Sequence, residues 1–257
     1  MSISTTAPEQ MVLHDYKLED WLRQTYGGQA PHITKQPKQP TWQQRVLVAA
    51  GHAINAYYTM SPELREISHI GTLVDLRWPR RPVGFESEAH YWEIKDAVIA
   101  NLAALLRHNQ PADYPVILYE QHRVIVPELH TELSLIFQAV WQLPWTTAQP
   151  GDEPSGHKSL IVQKFFWERE PHLEEAFIHL SNVFCRTAFG CVPQRIDMFY
   201  ISDGTMQRHV PEQEHVAGSI DYVDLLRHAV PGGNRLCACC RANAGTAVAF
   251  APTWSVS

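Results

Sequence analysis

Between Ser159 and Val210 the apolar period changes twice, and few folds accommodate that order of elements. Leu160-Ile161-Val162 is a short apolar run leading through Gln163-Lys164 to two phenylalanines, the pattern of a buried strand. Leu173, Ala176, Phe177, Leu180, Val183 and Phe184 then recur at spacings of three and four, which puts them on one face of a helix. Pro193 marks the loop after that helix. Ile196–Ile201 is a second apolar strand, and Asp203-Gly204 is a turn signal before a third. Strand, helix, strand, turn, strand predicts a sheet with a helix packed on it.

The rest of the chain is consistent with one large domain around that unit. Its 257 residues, 45% hydrophobic and 10% aromatic, suffice for a sizeable core. A net charge of −6 argues against a broad basic surface that binds nucleic acid by charge alone, although a local basic channel is compatible with it. Five cysteines with no signal peptide suggest a reducing, cytoplasmic setting rather than a disulfide scaffold. No apolar run approaches the roughly 20 residues of a membrane span, so no membrane association is expected.

In chain order, residues 1–40 read as an N-terminal helix (Val12 to Tyr26) followed by a polar linker, Gly27 to Pro40. Thr41 is an N-cap candidate for a helix through Val46, Leu47, Ala50, Ile54 and Tyr57. Ser61 to Trp78 reads as a second helix or an irregular packed segment. Pro79 and Pro82 make the run after it a loop. Glu86–His108 is the clearest helix, with Tyr91, Ile94, Val98, Leu102 and Leu105 in one stripe. Val116–Tyr119, Arg123–Val126 and Glu132–Trp141 predict three strands in a meander, although the last also fits helical spacing. Pro144–His157 is a polar connection, and Val216–Val230 predicts a final helix. The expected architecture is α/β (α+β), a mixed central sheet flanked by helices, with the main domain over 41–240 and a tail over 241–257.

This order of segments resembles the RecB-like branch of the PD-(D/E)XK nuclease superfamily, which includes CRISPR-associated and AddB-type exonuclease domains with a restriction-endonuclease-like fold. The resemblance spans about residues 45 to 240. It implies a Gly-x-x-x-His segment, a strand with a metal-binding Asp, a strand ending in Asp/Glu-x-Lys, and a helix carrying Gln and Tyr. In such a site two carboxylates hold a magnesium-type ion. The ion polarises the phosphate and activates water. A lysine two residues beyond an acid lies on the same strand face.

Carried over, Gly71-Thr-Leu-Val-Asp75 stands for the first segment, with Asp75 in place of His. Gln138 occupies the position of the metal-binding Asp, and Val162 that of the acid two residues before Lys164. His179 and Phe184 lie near the expected Gln and Tyr. An amide and an isopropyl group cannot replace two anionic ligands. The resemblance therefore implies a degenerate, inactive nuclease-like protein acting with a nucleic-acid-processing or defence partner, such as DNA or a helicase.

Two alternatives remain open in the sequence. An active Mg- or Mn-dependent nuclease would need substitute ligands, Lys164 with Asp75, Glu120 or Glu132, the last two on or beside predicted strands. Glu93-Ile94-Lys95 has the literal Glu-x-Lys spacing, but two residues along a helix is about 200° of rotation, so Glu93 reads as a surface acid unless Tyr91–Ala97 is a strand. The other alternative is a protein-interaction module with no nucleic-acid role.

The related exonucleases carry an iron–sulfur cluster on four cysteines. Here Cys237-x-x-Cys240, with Cys239 between, is half a metal motif, and a remnant or local turn is the plainer reading of it than a residual Zn or iron–sulfur site. Cys185 and Cys191 are expected as core thiols. The fourteen histidines show no HExxH spacing. Trp78-Pro79-Arg80-Arg81 is expected to be a solvated loop.

Overall fold

A six-stranded mixed sheet separates two layers of helices. The computed structural model describes residues 11–26, 40–107, 114–142 and 159–230. The strands are β1 (Met11–His14), β2 (Ile117–Val126), β3 (Thr131–Gln142), β4 (Leu160–Phe166), β5 (Arg195–Tyr200) and β6 (Thr205–His209). The helices are α1 (Asp15–Tyr26), α2 (Trp42–Thr59), α3 (Pro62–Ile67), α4 (Ile70–Arg77), α5 (Glu88–Arg107), α6 (Pro171–Phe189) and α7 (Val216–Ala229). The α/β class expected from the sequence is the class observed. Among the described residues no helix is long and apolar enough to cross a membrane.

One face of the sheet packs against α1, α6 and α7, with Leu18, Leu135, Phe137, Val162, Phe166, Phe177 and Val223 in its core. The other packs against α2, α4 and α5 through Ile54, Val74, Val98, Leu102, Phe165 and Phe199. The alternation along β4 serves both layers. Val162 and Phe166 point to the first and Phe165 to the second, so all seven residues of the strand are buried.

The opening stretch folds as read. β4 and β5 are parallel, joined by α6, and β5 returns to β6 as a hairpin. α6 has Pro171 in its first turn and ends at Gly190, whose φ of 82° is the left-handed conformation of a helix C-terminus. At the hairpin turn Gly204 has φ 70°, and a Cβ there would meet Asn101 Oδ1 at 2.7 Å. Asn101 of α5 donates to the Ile201 carbonyl at 2.9 Å, tying the turn to the second helical layer.

Thr41 caps α2 through a reciprocal capping box with Gln44. Ser61–Trp78 forms two short helices rather than one, α3 and α4. Tyr91–Ala97 lies inside α5 and Glu93 is exposed, as the helical spacing predicts.

Two expectations are corrected. Residues 11–14 are not the first turn of a helix; they form β1, which runs parallel to β3 from Met11↔Thr131 to His14↔Ser134. Residues 11–26, which the sequence sets apart with the 1–40 segment, thus belong to the same core: β1 extends the sheet, and Leu13, Leu18 and Leu22 are buried in it. Glu120, Gln121 and His122 do not separate two strands either. They belong to one strand, β2, which follows β3 in a single register, and they are polar where β2 pairs with β3 alone.

β2 is nevertheless kinked. Tyr119 has φ 49°, unusual for a bulky residue, and its pairing with Gln138 is skipped between Leu118↔Ala139 and Glu120↔Phe137. Its ring lies on Gly51 of α2, where a Cβ would stand 2.9 Å from the tyrosine oxygen.

Candidate functional site

β3 has β2 along one edge and two different strands along the other. β1 occupies that second edge at 131–134, and β4 occupies it at 139–142, running antiparallel. Between them, at residues 135–138, the lane is open. β1 turns into α1 at Asp15, and β4 leaves β3 after Gln163 while staying paired with β5 to Phe166. The sheet forks here, and polar side chains fill the fork.

Asp15 is the corner residue. Its Oδ2 accepts the Ile136 N–H at 2.8 Å, continuing the ladder one rung past His14, and its Oδ1 accepts the Tyr16 N–H at 2.7 Å. Gln138, which pairs in neither neighbouring ladder, accepts the Phe165 N–H on its Oε1 at 2.6 Å. The amide thus satisfies a backbone donor exposed by the departure of β4. This is the structural work of the residue at the expected acid position. Val162 is fully buried in the first core, two residues before Lys164 and on the same face.

Lys164 projects into the fork, 6% exposed. Its ammonium donates to Glu19 of α1 and stands 4.6 Å from the centre of the Phe177 ring. Glu19 is also 3.8 Å from Arg23, whose guanidinium makes a two-pronged pair with Glu170 at 3.1 Å on each arm. Burial pushes the Asp15 carboxyl above its ordinary value, and the Lys164 charge and the Ile136 N–H pull partly against that rise. The fork therefore holds two carboxyl groups and an ammonium, each with a partner inside the protein. A hard cation would have to compete with a tethered ammonium for Glu19 and with two backbone N–H groups for Asp15.

The acids proposed as substitute ligands are elsewhere. Asp75 is on α4, across the sheet from Lys164, and pairs with Lys95 of α5. Glu120 is exposed and lies 3.3 Å from His122; Glu132 pairs with Arg123 at 3.5 Å. Glu120 is opposite Phe137 and Glu132 opposite Ile125, so the two glutamates are an odd number of rungs apart and point to opposite faces. They do not share a site. His179 is on the helix that covers Lys164, but it is two residues past Phe177, about 200° around the helix, and faces α7 instead. Its Nδ1 lies 3.0 Å from Ser219 Oγ, and its ring stacks on Tyr222. Cys237 and Cys240 lie outside the described residues. Cys185 and Cys191 are buried. Among the described residues no group of three or more His, Cys, Asp or Glu side chains is arranged to hold a metal ion.

Asp15 and Glu19 were not singled out from the sequence, although a signal for them exists. Asp15, Glu19 and Arg23 follow one another at intervals of four, on one face of α1. Reading residues 12–26 as a single helix hid the strand that aims this face into the fork.

No protein-family model matches the chain, and no curated protein matches it in sequence. Among solved structures, the crystal structure of SSO0001 aligns with 84% of this chain and 88% of its own, at 10% identity and a TM-score of 0.25. Similarity at that level does not establish a common fold.

Proposed function

We propose that this chain is a restriction-endonuclease-like scaffold without hydrolytic activity, of the RecB-like PD-(D/E)XK type, serving as a binding partner in nucleic-acid processing or defence. The observation that carries the reading is the fork at Lys164. A lysine at the end of a buried strand is retained, but the acid positions around it are Val162 and Gln138, one given to the core and the other to a backbone N–H. The ammonium is satisfied by Glu19, from a helix rather than from the strands. Such a lysine anchors α1 to the sheet instead of orienting water.

Asp15 and Glu19 also favour a second reading, an active nuclease that uses these two carboxylates in place of strand acids. One experiment separates the readings. The purified chain and Lys164→Met are incubated with single- and double-stranded DNA in Mg and in Mn, with folding of both checked by circular dichroism. The scaffold reading expects no cleavage by either protein and binding that weakens as salt is raised. Metal-dependent cleavage by the wild type, lost in folded Lys164→Met, would sink it in favour of the enzyme. Absence of both cleavage and binding would leave a protein-interaction module, which the net charge of −6 suits.

A further inference from the structure

The sheet has two outer edges, and they are not alike. At one, β6 contributes five residues and ends two positions before Pro211. At the other, β2 contributes ten, pairs with β3 alone, and contains neither lysine nor proline. Short length, lysine and proline are common protections of a sheet edge, because the unpaired N–H and C=O groups along it can take up another strand. Among the described residues no other backbone group bonds to the outer edge of β2.

Beyond the kink at Tyr119 the edge is regular from Glu120 to Val126. Its even-numbered residues share the α6 side of the sheet with Phe137, Leu135 and Leu133, and its odd-numbered residues face the other side. Glu120, Gln121 and Arg123 are exposed, and so is the apolar Ile125. On α2, Val48 is exposed one turn from Gly51, the residue on which Tyr119 lies. The edge thus carries apolar surface on both sides of its charges.

The order of those charges is self-complementary. Glu120 lies on one side of Gln121-His122 and Arg123 on the other. A second copy laid antiparallel on this edge meets it about a two-fold axis that sets one residue opposite itself. An axis at Glu120 or Arg123 would set like charges directly opposite each other, which is destabilising. An axis at Gln121 sets Glu120 opposite His122 of the second copy, and Ile125 opposite Ile117. An axis at His122 sets Gln121 opposite Arg123, and Glu120 opposite Val124. Neither of these two registers opposes carboxylate to carboxylate or guanidinium to guanidinium, and both use nearly the whole strand.

We propose that β2 is a dimerisation edge, on which a second copy of this chain pairs antiparallel about an axis at Gln121 or His122 and joins the two six-stranded sheets into one. Such a contact closes after two copies, whereas β2 of one copy on β6 of the next would run on as a filament. β2 lies along the opposite edge of β3 from the fork, so failure of this proposal would leave the reading of Lys164 untouched.

The test is sedimentation velocity of the full chain together with hydrogen exchange. Over about a hundredfold range of concentration the mass should rise from 29.3 kDa towards twice that value. Over the same range the amides of residues 117–126 should gain protection, and those of 205–209 should not. Glu120→Arg combined with Ile125→Lys, both at exposed positions, gathers positive charge on the edge and should weaken the dimer at least about tenfold with an unchanged circular dichroism spectrum. A monomer at every concentration, a dimer whose formation leaves exchange at 117–126 unchanged, or a dimer that the folded double variant does not weaken would each overturn the proposal.

Discussion

α6 separates two polar regions that differ in how far they are closed off from solvent. On its Phe177 side, at the fork, Asp15, Glu19, Gln138 and Lys164 answer one another or a backbone N–H. On its His179 side, His179 and Asn182 both meet Ser219 of α7, and Glu212 pairs with His215 nearer the surface. A closed polar network holds a fold together. The sequence resemblance directs attention to the first region, where these side chains already have partners. The second lies partly open to solvent.

The sharpest way to break this contrast is to open the fork. Glu19→Leu leaves the buried Lys164 ammonium without its partner, and should cost roughly 3 kcal/mol in urea denaturation at neutral pH. Glu19→Leu combined with Lys164→Met removes both charges, and should recover most of that loss. A double variant as unstable as the single one would mean that the pair does not tie α1 to the sheet.

Gln138→Ala should have the next largest effect. It leaves the Phe165 N–H without an acceptor where the strands part, a loss of about 1–3 kcal/mol. Gln138→Glu keeps an acceptor and should fold. If it also gained metal-dependent nuclease activity, the fork would be a recoverable active site rather than a closed one.

The smallest effect belongs to the His179 side of α6 and depends on pH. His179 and His209 titrate below their unfolded value because burial disfavours the charged rings. Between the folded value and about 6.5 the unfolded chain binds more protons, so stability rises with pH across that window. The contribution is fully present above about pH 7 and is lost as the pH falls through the folded values. Asp15 acts in the opposite sense, since its raised carboxyl value favours the folded state as the pH drops. Wild type and a His179→Gln/His209→Gln double variant should therefore be compared at each pH. The wild type should lose more stability than the variant between about pH 7.5 and about pH 5; parallel curves would remove the histidines from the account.

Much of the fold is legible along the chain because the signals are local. The stripe on α6, the capping box at Thr41, the helical spacing that keeps Glu93 off any strand and the Asp203-Gly204 turn each involve residues a few positions apart. β1 escapes that reading. Four residues carry too little periodicity of their own, and their partner, Thr131–Ser134, lies 120 residues away. The candidate site escapes for the same reason: Lys164 was visible as a lysine ending a buried strand, but its carboxylate partner comes from a segment 145 residues earlier.

The sequence by itself determined that strand, helix and strand would pack as an α/β layer, and that an amide and a valine stand where the resemblance expects acids. Those are statements about residue type and spacing, which backbone geometry converts directly into faces and turns. Only the tertiary structure decided which group Lys164 meets. A buried charge takes its role from the group that neutralises it. Here β1 and β4 meet the same edge of β3 and leave a gap, and α1 enters that gap with Glu19.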